Sequence, residues 1–375
     1  MDKKKILIVC GSFYPVIAPR AFRATELAKE LARQGHDVTV CFPTEGKDYS
    51  SFGIEHNLKI KNLGALKWTE IDLKGGKLEL MARRAVSRGL QLLFEWPDIE
   101  LVFKVSKILK NEHGYDLLIS IAVPYPIHWG VARIWKKKKN TAKTWIADCG
   151  DPYMFAQLDT FKKLFYFKYF EKSFCRKCSF ISVPFDEMRV QFYKEFRSKI
   201  ITIPQGFNLT EIKRFNSPIQ NEKTTFMFAG SIIPGLRDLT LFLDFLTNYK
   251  DDFLFIVYTN QPKWFEKYKN NLKSRLETRD YIDRQALIFE MSKVDFLVNI
   301  DSVLDSKSNI EAVPSKLIDY ALSGRPILNI NSNDLDLEKV KTFLSGDYTR
   351  ARIIDISRYD IKLVANQFIQ AGQLC

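Results

Sequence analysis

The chain has 375 residues, 46% of them hydrophobic, enough to bury a sizeable core and more in keeping with two domains than one. Its net charge of +13 resides in the first half: residues 1 to 205 carry 35 Lys and Arg against 22 Asp and Glu, whereas residues 206 to 375 carry 22 of each. No stretch approaches the roughly 20 apolar residues of a membrane span, the start MDKKKILIVC lacks a signal-peptide core, and no zinc-finger or RNP signature accompanies the basic charge. A cytoplasmic protein that does not bind nucleic acid is therefore expected, with a basic first half able to meet an anionic acceptor or the inner face of the cell membrane as a peripheral contact. Among the six cysteines, Cys175 and Cys178 form a lone CxxC, and the four histidines show no ligand spacing, so no metal site is expected.

Ile6-Leu7-Ile8-Val9-Cys10 is a continuous apolar run, the pattern of a central parallel strand, and it enters the loop Gly11-Ser12-Phe13-Tyr14-Pro15. From about Arg20, the residues Ala21, Ala24, Leu27, Ala28 and Leu31 keep helical spacing until Gly35, and Val38 to Phe42 is the next strand. This strand, helix, strand unit belongs to doubly wound α/β sheets, whose ligands sit beyond the carboxyl ends of the strands. Gly11 alone is no dinucleotide fingerprint. Residues 45 to 110 say little, apart from Trp96-Pro97-Asp98 and a helical stretch to Lys110.

Asp116 to Ile121 predicts a buried strand, after which His128 opens a helix and either lines the ligand side or is structural. Thr144 to Asp148 predicts another strand, ending in Cys149-Gly150-Asp151-Pro152-Tyr153, where an acid faces the ligand side. Phe161 to Lys177 mixes aromatic and basic residues with no single apolar side, so it reads as a helix sandwiched in the core or as a membrane-inserting one. Ser179 to Val183 and Ile200 to Ile203 complete the strands of this half. Pro204-Gln205-Gly206 marks a crossing, and the polar residues 209 to 222 read as a linker.

The alternation then repeats, with strands predicted at Thr225 to Ala229, Phe253 to Tyr258, Asp295 to Asn299, Ile327 to Ile330 and Arg352 to Ile356. A polar helix is predicted to run to about Arg279, another follows Arg284, and a last one covers Ile361 to Gly372. The loop from Gly230 to Asp238 joins strand to helix, a place for phosphate, and Arg237 can fork onto two oxygens. In EAVPSKLIDYALSGRPIL, Glu311 to Leu328, Pro314 suits a first helical turn and Gly324 the left-handed residue past a helix end. That first turn offers free N–H groups, the positive end of the helix dipole, the Ser315 hydroxyl and the Lys316 cation, all suited to a diphosphate. Asp319 shares their face, roughly 7 Å along the axis from Pro314, about the step from a phosphate to its ribose. The same residues also fit an exposed Lys316–Asp319 ion pair over ordinary core.

PSKLIDYALSGRPIL resembles the donor-binding segment of family 4 glycosyltransferases of the PSK-type subgroup, which are retaining enzymes with the GT-B fold. ADCGDPY and Pro19-Arg20-Ala21-Phe22-Arg23 are similar to their acceptor-side motifs, and the resemblance covers most of the chain. It implies α/β architecture with two facing doubly wound Rossmann-like domains and an interdomain cleft: an acceptor domain over 1–205 and a nucleotide-sugar domain over 206–375, with the last helix, about 361–375, packing back onto the first.

The resemblance further implies transfer of a sugar from a nucleotide-diphosphate sugar, a co-substrate rather than a cofactor, to a glycan or lipid-linked glycan acceptor of the cell envelope. It assigns Asp151, Glu311, Arg237 and Lys316 to catalysis. Donor binding falls to Gly206, Gly230, Arg237, Pro314, Ser315, Lys316, Leu317 and Asp319, and the acceptor side to Arg20, Arg23, Asp148 and His128. The chain departs from the family pattern at Gly150 (commonly Arg), Tyr153 (Trp), Gln205 (Asn) and Asp319 (Glu), and Arg237 comes one residue later than usual. Three other readings are a GT-B nucleotide-sugar epimerase, a non-catalytic nucleotide-sugar-binding protein and a nucleic-acid binder using the basic first half, which would bind DNA or RNA in a salt-sensitive way.

Overall fold

The structure, a computed structural model, describes residues 2–136, 141–156, 162–215, 217, 221–235, 237–301 and 315–374. It divides into two compact units, Met1–Asn208 with Arg358–Cys375, and Leu209–Ser357.

The first unit runs β1 (Lys5–Cys10), α1 (Pro19–Arg33), β2 (Asp37–Phe42), α2 (Ser50–His56), β3 (Leu58–Asn62), α3 (Lys77–Phe94), α4 (Glu100–Leu109), β4 (Tyr115–Ala122), α5 (Pro126–Ile134), β5 (Ala142–Cys149), α6 (Phe167–Lys177), β6 (Phe180–Val183) and β7 (Ile200–Thr202). Its seven parallel strands lie in the order β3-β2-β1-β4-β5-β6-β7. The continuous apolar runs are explained by burial on both faces. Residues of α4, α5 and α6 cover one side, and those of α1 cover the other. Pro19 starts α1, where its missing N–H is harmless, and Gly35 at φ +90° follows its end.

The second unit runs β8 (Thr224–Ala229), α7 (Thr240–Asn248), β9 (Phe253–Tyr258), α8 (Pro262–Leu272), β10 (Leu276–Arg279), α9 (Arg284–Met291), β11 (Phe296–Asp301), α10 (Ser315–Ser323), β12 (Ile327–Asn331) and α11 (Leu337–Leu344). Its strand order, β10-β9-β8-β11-β12, repeats the pattern of the first sheet, with α7, α8 and α11 against one face and α9 and α10 against the other. In each sheet the order reverses beside the first strand, between β1 and β4 and between β8 and β11. In doubly wound sheets, loops leave in opposite directions at such a point, and ligands bind at the carboxyl ends there.

The last helix, α12 (Ile361–Gln373), belongs to the first unit. The Asp360 carboxylate accepts from the Lys362 N–H at its start, and Ile361, Val364, Ala365, Phe368 and Ile369, at helical spacing, join the core that α1 also covers.

Two sequence expectations need correction. The helix expected to reach Arg279 stops at Leu272, after which Lys273 takes a left-handed φ of 48° and Leu276–Arg279 forms the edge strand β10. Arg352 to Ile356 forms no strand: the Arg352 N–H reaches the Ile327 carbonyl, but the chain then leaves the edge and Ile353 stands in solvent.

Phe368 is fully buried beneath the Arg23 guanidinium, whose centre lies 5.1 Å from the ring centroid. Phe368→Ala should cost about 3–5 kcal/mol, read as a lower urea midpoint for the first unit.

Candidate functional site

In the second unit, Tyr320 decides where α10 sits. Its buried hydroxyl accepts from the Ala229 N–H at 2.8 Å and donates to the Ala229 carbonyl at 3.3 Å, at the last residue of β8. The first turn of α10 is thereby held beside Gly230, whose φ of +148° favours glycine. Lys316 lies along this contact. Its Nζ is 4.8 Å from the Phe228 ring centroid and 5.6 Å from that of Tyr320, and a Cβ on Gly230 would lie 3.8 Å from it. Loss of hydration, then repulsion from Arg237, pull the Lys316 ammonium down to about 7, with Asp301 opposing weakly. No ion pair reaches Lys316 among the described residues.

Arg237 is carried by a tight turn in which Ile233 and Arg237 exchange backbone hydrogen bonds. Two cations therefore lie near each other, beside a glycine and the first turn of a helix, a combination that suits an anion. Around them, Ser231 Oγ lies 3.3 Å from Asn260 Oδ1 and 3.2 Å from the Tyr281 hydroxyl, adding polar groups from three successive strand ends.

Asp319 does not pair with Lys316. Its Oδ1 accepts from Arg284 Nε at 2.9 Å and Nη2 at 2.6 Å; burial raises its carboxyl despite this partner. Arg284, the first residue of α9, was not anticipated as a site residue, and nothing local in the sequence marks the pairing across 35 positions. Leu317 turns its side chain into the core, so only its backbone is available to a ligand. Glu311 and Pro314 lie outside the described residues, and Ser315 is the first residue of α10.

In the first unit, three of the residues expected on the acceptor side, Arg23, Asp148 and His128, are buried. Arg23 and Asp148 are both buried and face each other, Nη2 to Oδ1 at 2.9 Å and Nε to Oδ2 at 3.1 Å. Arg23 also donates to the Ile203 and Pro204 carbonyls, and Ser182 Oγ donates to Asp148 at 2.7 Å. Burial alone would raise the Asp148 carboxyl, but Arg23, Arg20 and Ser182 hold it below its ordinary value. This pair is an internal brace tying α1 to β5 and to the segment after β7. His128 is equally internal. Burial drops it to about 3, its Nδ1 lies 2.8 Å from Ser120 Oγ, which also accepts from Trp145 Nε1, and its Nε2 faces Cys149 Sγ at 3.5 Å. Gly206 makes room for α12, since a Cβ there would come within 2.4 Å of Ile361 Cδ1.

Arg20 and Asp151 occupy the carboxyl edge of the first sheet. The Arg20 guanidinium rests on Gly150, where an added Cβ would lie only 1.8 Å from its Cζ, and the exposed Asp151 comes next. The Asp151 carbonyl accepts from the Tyr125 hydroxyl, which pins the loop. A glycine at position 150 is thus what lets α1 place its cation over the end of β5.

These two doubly wound sheets, each with polar groups gathered at its carboxyl edge, define an α/β protein of the GT-B type. The chain belongs to glycosyltransferase family 4, whose profile matches residues 22–211. Comparison with curated proteins gives no match. Among solved structures, the lipopolysaccharide outer core galactosyltransferase WaaB superposes with a TM-score of 0.60 at 12% identity, covering 98% of each chain. Anabaena HepE in complex with UDP-glucose gives 0.57 at 10% identity and 98% of each chain. A UDP-N-acetylglucosamine 2-epimerase gives 0.52 at 9% identity, covering 98% of this chain and 95% of its own.

One buried acid in the first unit lies outside this chemistry. The Glu171 carboxyl on α6 is buried, and that burial pushes the group up from 4.5 to about 8, against the opposing pull of the Met154 backbone N–H and Lys172. The folded chain keeps a proton that the unfolded chain releases near pH 4.5. This residue's contribution to stability is complete below that pH and declines as pH rises towards about 8, at most about 1.4 kcal/mol per unit. Glu171→Gln should remove that slope from urea unfolding measured between these pH values.

Proposed function

We propose that this protein is a retaining glycosyltransferase that moves a sugar from a nucleotide-diphosphate sugar to an acceptor hydroxyl in the synthesis of an envelope polysaccharide or lipid-linked glycan. The observation that carries the reading is the cation pair of Lys316 and Arg237 at the amino end of α10, with Lys316 lowered to about 7 by burial and by Arg237. A diphosphate supplies that anion, and Asp319, held by Arg284, stands further along the same helix, where a carboxylate can accept from ribose hydroxyls.

In the reaction, the bond between the anomeric carbon and the diphosphate oxygen breaks, and its electron pair leaves with the phosphate. Lys316, Arg237 and the helix N–H groups are already oriented towards that growing charge, so little reorganisation is needed as it forms. The acceptor oxygen bonds to the anomeric carbon on the face from which the diphosphate departs, and its proton passes to Asp151 or to the departing phosphate. Glu311 is assigned to the transferring sugar. On the acceptor side, Arg20 offers a guanidinium to an anionic group, and the loop before it exposes Tyr14, Val16 and Ile17. A cation beside an apolar rim fits a phosphate attached to a lipid.

A thermal-shift panel of nucleotide sugars should identify the donor, because a ligand of the folded state raises its melting point. Incubating that donor with and without acceptor then separates the readings: transfer to the acceptor supports the proposal, and interconversion of the free nucleotide sugar supports an epimerase. Lys316→Ala should lower turnover by about a hundredfold, and unchanged turnover would remove Lys316 from the mechanism. Binding a diphosphate should return a proton to Lys316, so affinity for the nucleoside diphosphate should fall above about pH 7, by up to about tenfold per unit. Calorimetry across that range checks the slope, which Lys316→Ala should flatten.

A further inference from the structure

Helix α3 carries its apolar face on the outside. None of its 18 residues is buried. At about 100° per residue, Leu78, Met81, Ala82, Ala85, Val86 and Leu93 share one side of the helix. Most of that side faces water: Leu78 is 83% exposed, Met81 60%, Val86 55% and Leu93 46%, and on it only Gly89 and Leu92, towards the helix end, are half-buried. The flank carrying Leu80, Ser87 and Leu90 is the half-buried one. A helix that simply covers a core has the opposite arrangement.

The charges on α3 are equally one-sided. Lys77, Arg84 and Arg88 lie along one border of the apolar face, and Glu79, the helix's single acid, is taken by Arg83 at 2.7 Å. The surface continues beyond the helix end. The Tyr166 hydroxyl donates to the Leu93 carbonyl, Lys163 pairs with Glu95, and from there Phe165 (70% exposed), Tyr169 (62%) and Phe170 (43%) present aromatic rings beside Lys168. The segment Phe161 to Lys177 is therefore divided: Phe161 lies outside the described residues, Phe167 and Phe174 fill the core, and these other aromatics remain outside.

An exposed apolar face bordered by Lys and Arg, with Tyr and Phe alongside, matches the cross-section of a bilayer surface, where acyl chains lie beneath anionic headgroups. The unit that carries it also holds the chain's excess of basic residues. We propose that α3, with the adjoining aromatic edge of α6, docks the first unit onto an anionic membrane, lying in the headgroup plane with Leu78, Met81 and Val86 inserted. This docking is independent of the sugar chemistry.

The test is flotation of the full chain with vesicles of phosphatidylcholine mixed with phosphatidylglycerol, and with vesicles of phosphatidylcholine alone. Wild type should float with the anionic vesicles, less so at high salt, and weakly with the neutral ones. The variant carrying Leu78→Glu, Met81→Glu and Val86→Glu should lose on the order of tenfold or more in vesicle affinity. Its melting temperature should be unchanged, because all three side chains are exposed, and Lys77→Glu with Arg84→Glu should weaken binding to anionic vesicles alone. The proposal fails if wild type does not float with anionic vesicles, or if the triple variant floats as well as wild type. It fails too if wild type is a dimer that the triple variant dissolves without any vesicle binding, because a second copy of the chain would then cover this face.

Discussion

The second unit depends on a repulsion left standing. Lys316 is partly buried against two aromatic rings and shares its space with Arg237, so its charged form is disfavoured in the empty protein. Among the described residues no side chain pairs with Lys316, and the backbone holds the arrangement in place. The Tyr320 hydroxyl locks α10 to the end of β8, and the Ile233–Arg237 turn brings the second cation back towards the first.

The first unit has the reverse electrostatics. Arg23 and Asp148 neutralise each other inside the protein, where a lone charge would be costly, and with Ser182 and two carbonyls they satisfy nearly every donor and acceptor involved. Arg23 also lies over Phe368, so the brace joins α1, β5, the segment after β7 and the final helix in one network. Arg20, one helical turn earlier, instead lies over the bare backbone of Gly150.

Two helices show that amphipathicity specifies a partner without saying which. α12 and α3 both carry apolar residues at helical spacing, yet α12 buries its face against the first sheet while α3 holds its face away from it. The difference lies in the company each keeps. The apolar face of α12 has only Lys362 beside it and is matched by the apolar face of α1, whereas that of α3 is edged by Lys77, Arg84 and Arg88.

The sequence by itself determined the alternating α/β architecture, because buried parallel strands must be apolar on both faces and therefore stand out as unbroken runs, as at Ile6 to Cys10 and Phe253 to Tyr258. It also marked the segment from Ser315 to Gly324, whose cation and terminal glycine are set by local helix geometry. It missed β3 and β10, short edge strands with polar sequences, because an edge strand has no need of a continuous apolar run. Only the tertiary structure decided which charged residues meet. Arg23 with Asp148 and Arg284 with Asp319 are separated by 125 and 35 positions, and His128 is placed in the core by neighbours distant in the chain. Such pairings arise from strand order and helix docking, which no local pattern encodes, so they appear only once the sheets are assembled.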